Sequence, residues 1–239
     1  MRRLKVTHYL QEPCHCAVAA CATIANYYNS EINYDSTKIL VNEKIYKKVS
    51  KDGLESAQMC ALLNELGFYK ITYVTSVLDL VDYSWIKFGR KKMIEVFKKS
   101  FLTKSSKIEK ENTKLTLKWL SNFNYDNKIV ISYDFGKYIR QHLNRRKPVI
   151  LTFNWTMFHK FAKDGQFDLD PYNGSPTEHA VVANGYDEKG VWIVDSHHQY
   201  YKYKRKKYRK GFYKISWENL MSCIGQGDVI LPEDYYVFE

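Results

Sequence analysis

From Ala17 to Ala25 every residue except Thr23 is small and apolar, so a helix here would have no polar face and would belong in the interior. Continued through Asn26, Tyr27 and Tyr28, it makes about three turns. The Pro-containing loop from Gln11 to His15 precedes it, which places the helix start, with its unpaired amides, near Cys16. Met59, Cys60, Leu62, Leu63 and Leu66 recur at helical spacing and predict a second helix from Ser56 to Leu66, stopped by Gly67. A strand from Ile71 to Val74 follows. Between 76 and 128 the pattern weakens. Lys-rich amphipathic pieces at Met93–Phe101 and Leu115–Leu120 predict helices, the polar run Thr103–Asn112 predicts a loop between them, and the whole reads as a helical insertion or lid. The remainder predicts a helix near Gly136–Asn144 and apolar strands at Pro148–Phe153, His179–Asn184 and Val191–Asp195. Two Tyr/Lys-rich strands at about 199–215 complete it. Helices first and strands later give an α+β fold with an antiparallel sheet or half-barrel.

The length, 239 residues, fits one domain spanning 1–239. With 45% hydrophobic and 15% aromatic residues, the chain has enough apolar surface for a core and is not a disordered one. No apolar run approaches the roughly eighteen residues of a membrane span. The basic opening Met1-Arg2-Arg3 is not followed by an apolar signal region before Gln11 and Glu12, so a cytoplasmic location is expected. Five cysteines, three of them at 14, 16 and 21, are too few and of the wrong parity for a disulfide framework; they fit a reducing compartment.

The balance of 37 basic against 26 acidic residues, +11, favours an anionic partner. Seven of the nine residues from Lys202 to Lys210 are basic. The plain reading of such a run is a solvated hairpin tip; the sharper one is a surface that draws an acidic peptide or another anionic partner toward the site. Cys14-His15-Cys16 lacks the second ligand pair that structural zinc requires, because Cys60, Cys223 and His197-His198 are scattered. No phosphate-binding glycine pattern occurs, and no metal or cofactor is expected.

A cysteine at the start of a buried helix has its thiolate stabilised by free amides and the helix dipole, and a neighbouring imidazolium adds to this. Cys16 occupies that position. His179 opens one apolar strand and Asp195 closes the next, with a turn at Asp187–Gly190 between them, so a hairpin brings the two together and Asp195 can orient the His179 ring. Gln11, five residues before Cys16, supplies an amide of the kind that stabilises an oxyanion.

In this arrangement the sequence resembles the papain-like cysteine peptidases, and among them the family that processes double-glycine bacteriocin leaders, with its stand-alone relatives. Gln11, Cys16, Ala19, Ala20 and Asn26-Tyr27-Tyr28 fall into the family's nucleophile frame. Glu178–Tyr186 resembles its His segment, Val191–Asp195 its Asp segment, and Arg145–Ile150 the strand before the His. The resemblance covers roughly 8–30 and 135–231. It implies a papain-like fold whose central helix starts at the nucleophile, and a catalytic set of Cys16, His179, Asp195 and Gln11. The implied activity is peptide or amide hydrolysis through a thioester on a peptide or protein substrate. Cys14 is a rival nucleophile, since Gln11 stands one residue closer to Cys16 than the family's spacing; the eleven-residue interval from Cys16 to Tyr27 favours Cys16. Two alternatives stay open: a papain-fold acyltransferase passing the acyl group to an amine, and an inactive basic binding module.

Overall fold

The computed structural model describes residues 3–45, 53–159, 172–173, 177–197, 211–225 and 227–236. Helix α1 spans Cys16–Tyr28 and α2 spans Tyr34–Leu40, running into a single π turn at Val41–Ile45. Helix α3 (Ser56–Glu65) leads to strand β1 (Phe68–Thr75). Gly67 joins them at φ +103°, a left-handed conformation that favours glycine. Helices α4 (Arg90–Thr103) and α5 (Lys107–Leu120) precede β2 (Asp126–Ile131), α6 (Phe135–Asn144), β3 (Val149–Asn154) and the short α7 (Trp155–His159). The chain continues through β4 (Glu178–Asp187), β5 (Gly190–Val194), β6 (Phe212–Ser216), α8 (Trp217–Ile224) and β7 (Asp228–Tyr235).

The seven strands form one sheet in the order β2-β1-β7-β3-β4-β5-β6. All neighbours are antiparallel except β1 and β2, which are parallel. The fold is thus α+β, as the order of elements implies. Helix α1 is buried from Ala17 to Ala25. Its small side chains let it lie close to β4: Ala19, Ala20 and Thr23 leave a gap of only about 10 Å3 against Ala180 and Val182.

The polar run Thr103–Asn112 is not the predicted loop. Thr103 ends α4, Ser106 caps α5 by accepting the Glu109 amide, and Lys107–Asn112 form the first turns of α5. Polar residues there are the solvated face of an amphipathic helix, with Glu111 and Lys114 pairing along it at 3.7 Å. Two devices fix this helical pair. Arg90 donates to the carbonyls of Leu120, Tyr125 and Asn122 at 2.6–2.8 Å. Asn64 Oδ1 on α3 accepts from Trp119 Nε1 and Asn127 Nδ2, both at 3.0 Å. Of the two Tyr/Lys-rich strands expected at 199–215, the second is β6; the first lies outside the described residues.

The β4–β5 hairpin carries the predicted His and Asp. Asp187 Oδ1 accepts the amides of Lys189 and Gly190 in its turn, and Gly190 pairs with Ser216 of β6. A Cβ on Gly190 would lie 1.9 Å from the Ile215 carbonyl oxygen, so β5 and β6 approach this closely only because no side chain intervenes. Gly190→Ala is expected to destabilise the protein by about 3 kcal/mol, read as a fall in the urea midpoint. An unchanged midpoint would mean that the hairpin shifts freely.

Candidate active site

Helix α1 begins at Cys16 with His15 as its N-cap; no side chain caps it and its first turn carries no acidic residue. The Tyr34 hydroxyl instead fixes the loop in front, taking the Glu12 amide at 3.0 Å and meeting His15 Nδ1 at 3.0 Å. Cys14 adopts φ +62°, a left-handed conformation uncommon for a side-chain-bearing residue, and precedes the helix.

His179 is 5% exposed and Asp195 1%. His179 Nε2 donates to Asp195 Oδ1 at 2.7 Å. The Cys16 thiol interacts electrostatically with the same imidazole, and the Ala180 and Ala17 amides act on the sulfur as well. With Nε2 committed to Asp195, Nδ1 is the ring nitrogen left for the cysteine.

Burial pushes the Cys16 thiol up, but the His179 hydrogen bond and charge, with the two amides, bring it below the ordinary thiol value. Burial pushes His179 down, and the Asp195 charge and hydrogen bond, reinforced by Cys16, outweigh this and raise it to about 9. Asp195 is held well below the usual carboxylate range: burial raises it, and the charge and hydrogen bond of His179 and the His197 amide more than reverse that.

Gln11 is 8% exposed and is tied to the residue after Asp195. Its amide donates to the Ser196 carbonyl at 3.0 Å, and its Oε1 accepts the Ser196 hydroxyl at 2.8 Å. This occupies the oxygen end of the carboxamide and leaves Nε2 as the donor end. Of the four residues singled out in the sequence, His179 and Asp195 are paired directly, Gln11 is tied to Ser196 next to Asp195, and Cys16 interacts electrostatically with His179. Lys202–Lys210, the expected anion-attracting run, lies outside the described residues.

Several partners of Asp195 carried no sequence signal of their own. Tyr213 on β6 donates to Oδ2 at 2.8 Å, the His197 amide to Oδ1 at 2.8 Å, and His8 Nε2 to the Asp195 carbonyl at 2.7 Å. Tyr213 is one of 20 tyrosines, and nothing local distinguishes it. His8 belongs to an N-terminal strap that starts where the Leu4 amide meets the Asn184 carbonyl. The strap crosses β4 over Gly185, where a Cβ would lie 2.9 Å from Arg3 Cα.

The raised His179 value has a signed consequence. A group whose pKa is higher folded than unfolded stabilises the fold fully below its unfolded value, about 6.5, and loses that contribution as pH rises through the folded value. Wild-type protein should therefore lose, between pH 6.5 and about 9, a stability increment over a His179→Gln variant, as read by urea unfolding across pH. A difference that stays flat over this window would show that His179 carries no extra proton in the folded state.

No curated protein sequence matches the chain. Two solved structures resemble it, each with a TM-score of 0.44. One is a double glycine motif protease from an AMS/PCAT transporter in complex with the leader peptide, 14% identical, covering 97% of this chain and 94% of that one. The other is a C39-like peptidase from Bacillus anthracis, 12% identical, covering 99% and 100%. Residues 3–223 match the Peptidase_C39 like family, and the chain belongs to that family.

Proposed function

We propose that the protein is a cysteine peptidase-type hydrolase in which Cys16 attacks a peptide or amide carbonyl. The observation that carries this reading is the buried His179–Asp195 pair at 2.7 Å, whose imidazole lowers the Cys16 thiol at the start of α1. His179 takes the thiol proton, stands as an imidazolium beside the thiolate and delivers the proton to the leaving amine. Asp195 orients the ring and stabilises its positive form. The tetrahedral oxyanion is received by Gln11 Nε2 and the Cys16 amide. Collapse expels the amine and leaves a thioester, which a water activated by His179 then hydrolyses. The substrate is a peptide or protein; the α4–α5 pair and the basic run Lys202–Lys210 are candidates for guiding it.

Thiol reactivity tests this directly. Cys60 and Cys223 are buried, and burial pushes the Cys60 thiol well up. Iodoacetamide at neutral pH should label Cys16 far faster than either, as followed by peptide mass spectrometry; equal rates would sink the assignment. Cys16→Ala should abolish amide cleavage and Cys14→Ala should leave it nearly intact, whereas the reverse pattern would move the nucleophile to Cys14. His179→Ala should lower kcat/KM by about 10^3-fold or more, and Asp195→Asn by about ten- to a hundredfold. An asparagine can keep its oxygen toward His179 and the His197 amide and turn its NH2 group to the Tyr213 hydroxyl oxygen. Equal, negligible effects of both substitutions would remove the dyad from the mechanism.

A further inference from the structure

A cavity of about 190 Å3 has a lining that, among the described residues, includes Glu55, Asp79, Glu109, Glu178 and Asp228 and no lysine or arginine. Asp79, Glu109, Glu178 and Asp228 take part in no ion pair among the described residues. In a chain of net charge +11, four carboxylates gathered with no described cation paired to them are a specific feature. Asp228 is its deepest member at 6% exposure. Its Oδ2 accepts the Ser56 and Tyr73 hydroxyls at 2.6 and 3.1 Å, while its buried Oδ1 has no hydrogen-bond partner. A buried carboxylate oxygen left unpaired is costly, and a positive charge in the cavity that Asp228 lines would offset part of that cost.

Main-chain links connect the cavity to the reacting groups. Glu178 directly precedes His179 on β4, with its side chain on the other face of the strand. Gly53, two residues before Glu55, lies against the Cys14 carbonyl, with a Cβ there only 3.1 Å from it. Asp228 and Ala180 both pair with Thr152 from opposite sides of β3, so Asp228 is two strand spacings, about 10 Å, from β4. A long side chain of a peptide lying over Cys16 and His179 can span that interval. The volume suits one side chain and is below the roughly 300–1,000 Å3 of whole-ligand sites. Among the described residues no three His, Cys, Asp or Glu side chains are grouped to hold one metal ion.

We propose that this cavity is a specificity subsite that takes a lysine or arginine side chain of the substrate, held by Asp228 and Glu178 with Glu55 at the mouth. The inference rests on the reading of Cys16 and His179 as the reacting pair. It gives the substrate a local charge opposite to the one suggested by the overall positive charge: the net charge acts at long range and the cavity at contact. Crowding by protein, then the charges of Asp228 and Glu55, push Glu178 up to about 7, although the residue as a whole still reaches solvent. Like charges held together in this way are what a bound cation stabilises.

The test uses full-length Cys16→Ala protein and three pentapeptides, acetyl-Gly-Gly-Xaa-Gly-Gly-amide, with lysine, norleucine or glutamate at the centre. The lysine peptide should bind about tenfold tighter than the norleucine peptide, as a charge-assisted hydrogen bond to the buried Asp228 carboxylate implies. The margin should shrink as salt rises. Glu178→Gln and Asp228→Asn, each added to this background, should bring the two peptides to within about twofold of each other. Asp228→Asn tests the deepest contact, and Glu178→Gln keeps the test decisive if the buried substitution unfolds the protein. Equal binding of lysine and norleucine, tighter binding of glutamate, or a lysine preference unchanged in Glu178→Gln would overturn the subsite. Iodoacetamide labelling of the wild type separates the two readings: a reactive Cys16 without lysine preference removes only the subsite, and an unreactive Cys16 with lysine preference removes only the hydrolase.

Discussion

Taking a carboxylate and an imidazolium out of water costs several kcal/mol per ion, and their attraction offsets this only when geometry is good and the remaining polar atoms are satisfied. The His179–Asp195 pair meets both conditions. Asp195 Oδ1 receives His179 Nε2 and the His197 amide, Oδ2 receives the Tyr213 hydroxyl, and the main chain of Asp195 is held by His8 and by the Gly211 carbonyl. Removing any donor leaves charge unsatisfied where water does not reach. This requirement explains features far from the sulfur. Strand β6 must lie beside β5 to bring Tyr213 in, which makes glycine necessary at 190. The N-terminal strap must cross β4 to deliver His8, which makes glycine necessary at 185 and also delivers Gln11.

The parts of this arrangement legible in the sequence were those set by local pattern. Helix α1 reads directly from its unbroken small apolar run, and its first residue from Pro13 and the polar loop before it. The β4–β5 hairpin reads from two apolar runs and the turn at Asp187–Gly190, and these together placed His179 near Asp195. Long-range choices were not legible. Strand β7 sits at the middle of the sheet, yet it contains Pro232, Glu233 and Asp234, which argue locally against a central strand. The structure resolves the conflict because β3 pairs with β7 only over Asp228–Ile230. The missing amide of Pro232 therefore faces no strand on that side, and its carbonyl is taken by His142 Nε2 at 3.0 Å. Likewise β2, with polar Asp126, Asn127 and Lys128, becomes a strand because Asn127 turns inward to Asn64 and Trp119, a tertiary contact that no window of sequence contains.

Two buried aspartates show how one residue type takes opposite electrostatic states in the same sheet. Asp195 and Asp228 are 1% and 6% exposed, so desolvation presses both toward the neutral acid. Asp195 has an imidazolium at 2.7 Å and is driven far below the ordinary range. The Asp228 carboxyl receives only the Ser56 and Tyr73 hydroxyls, both on Oδ2, and burial leaves it raised. Neutral donors orient a carboxylate without supplying the charge that would hold it ionised. The difference between the two sites is one cation, which His179 provides at Asp195 and which no described residue provides at Asp228. A cavity open to one side of Asp228, with Glu178 and Glu55 adding negative potential, lets that cation come from outside the chain. The sheet thus gives one buried aspartate its own counter-charge and leaves another in an acidic recess whose counter-charge, on the proposed reading, the substrate would bring.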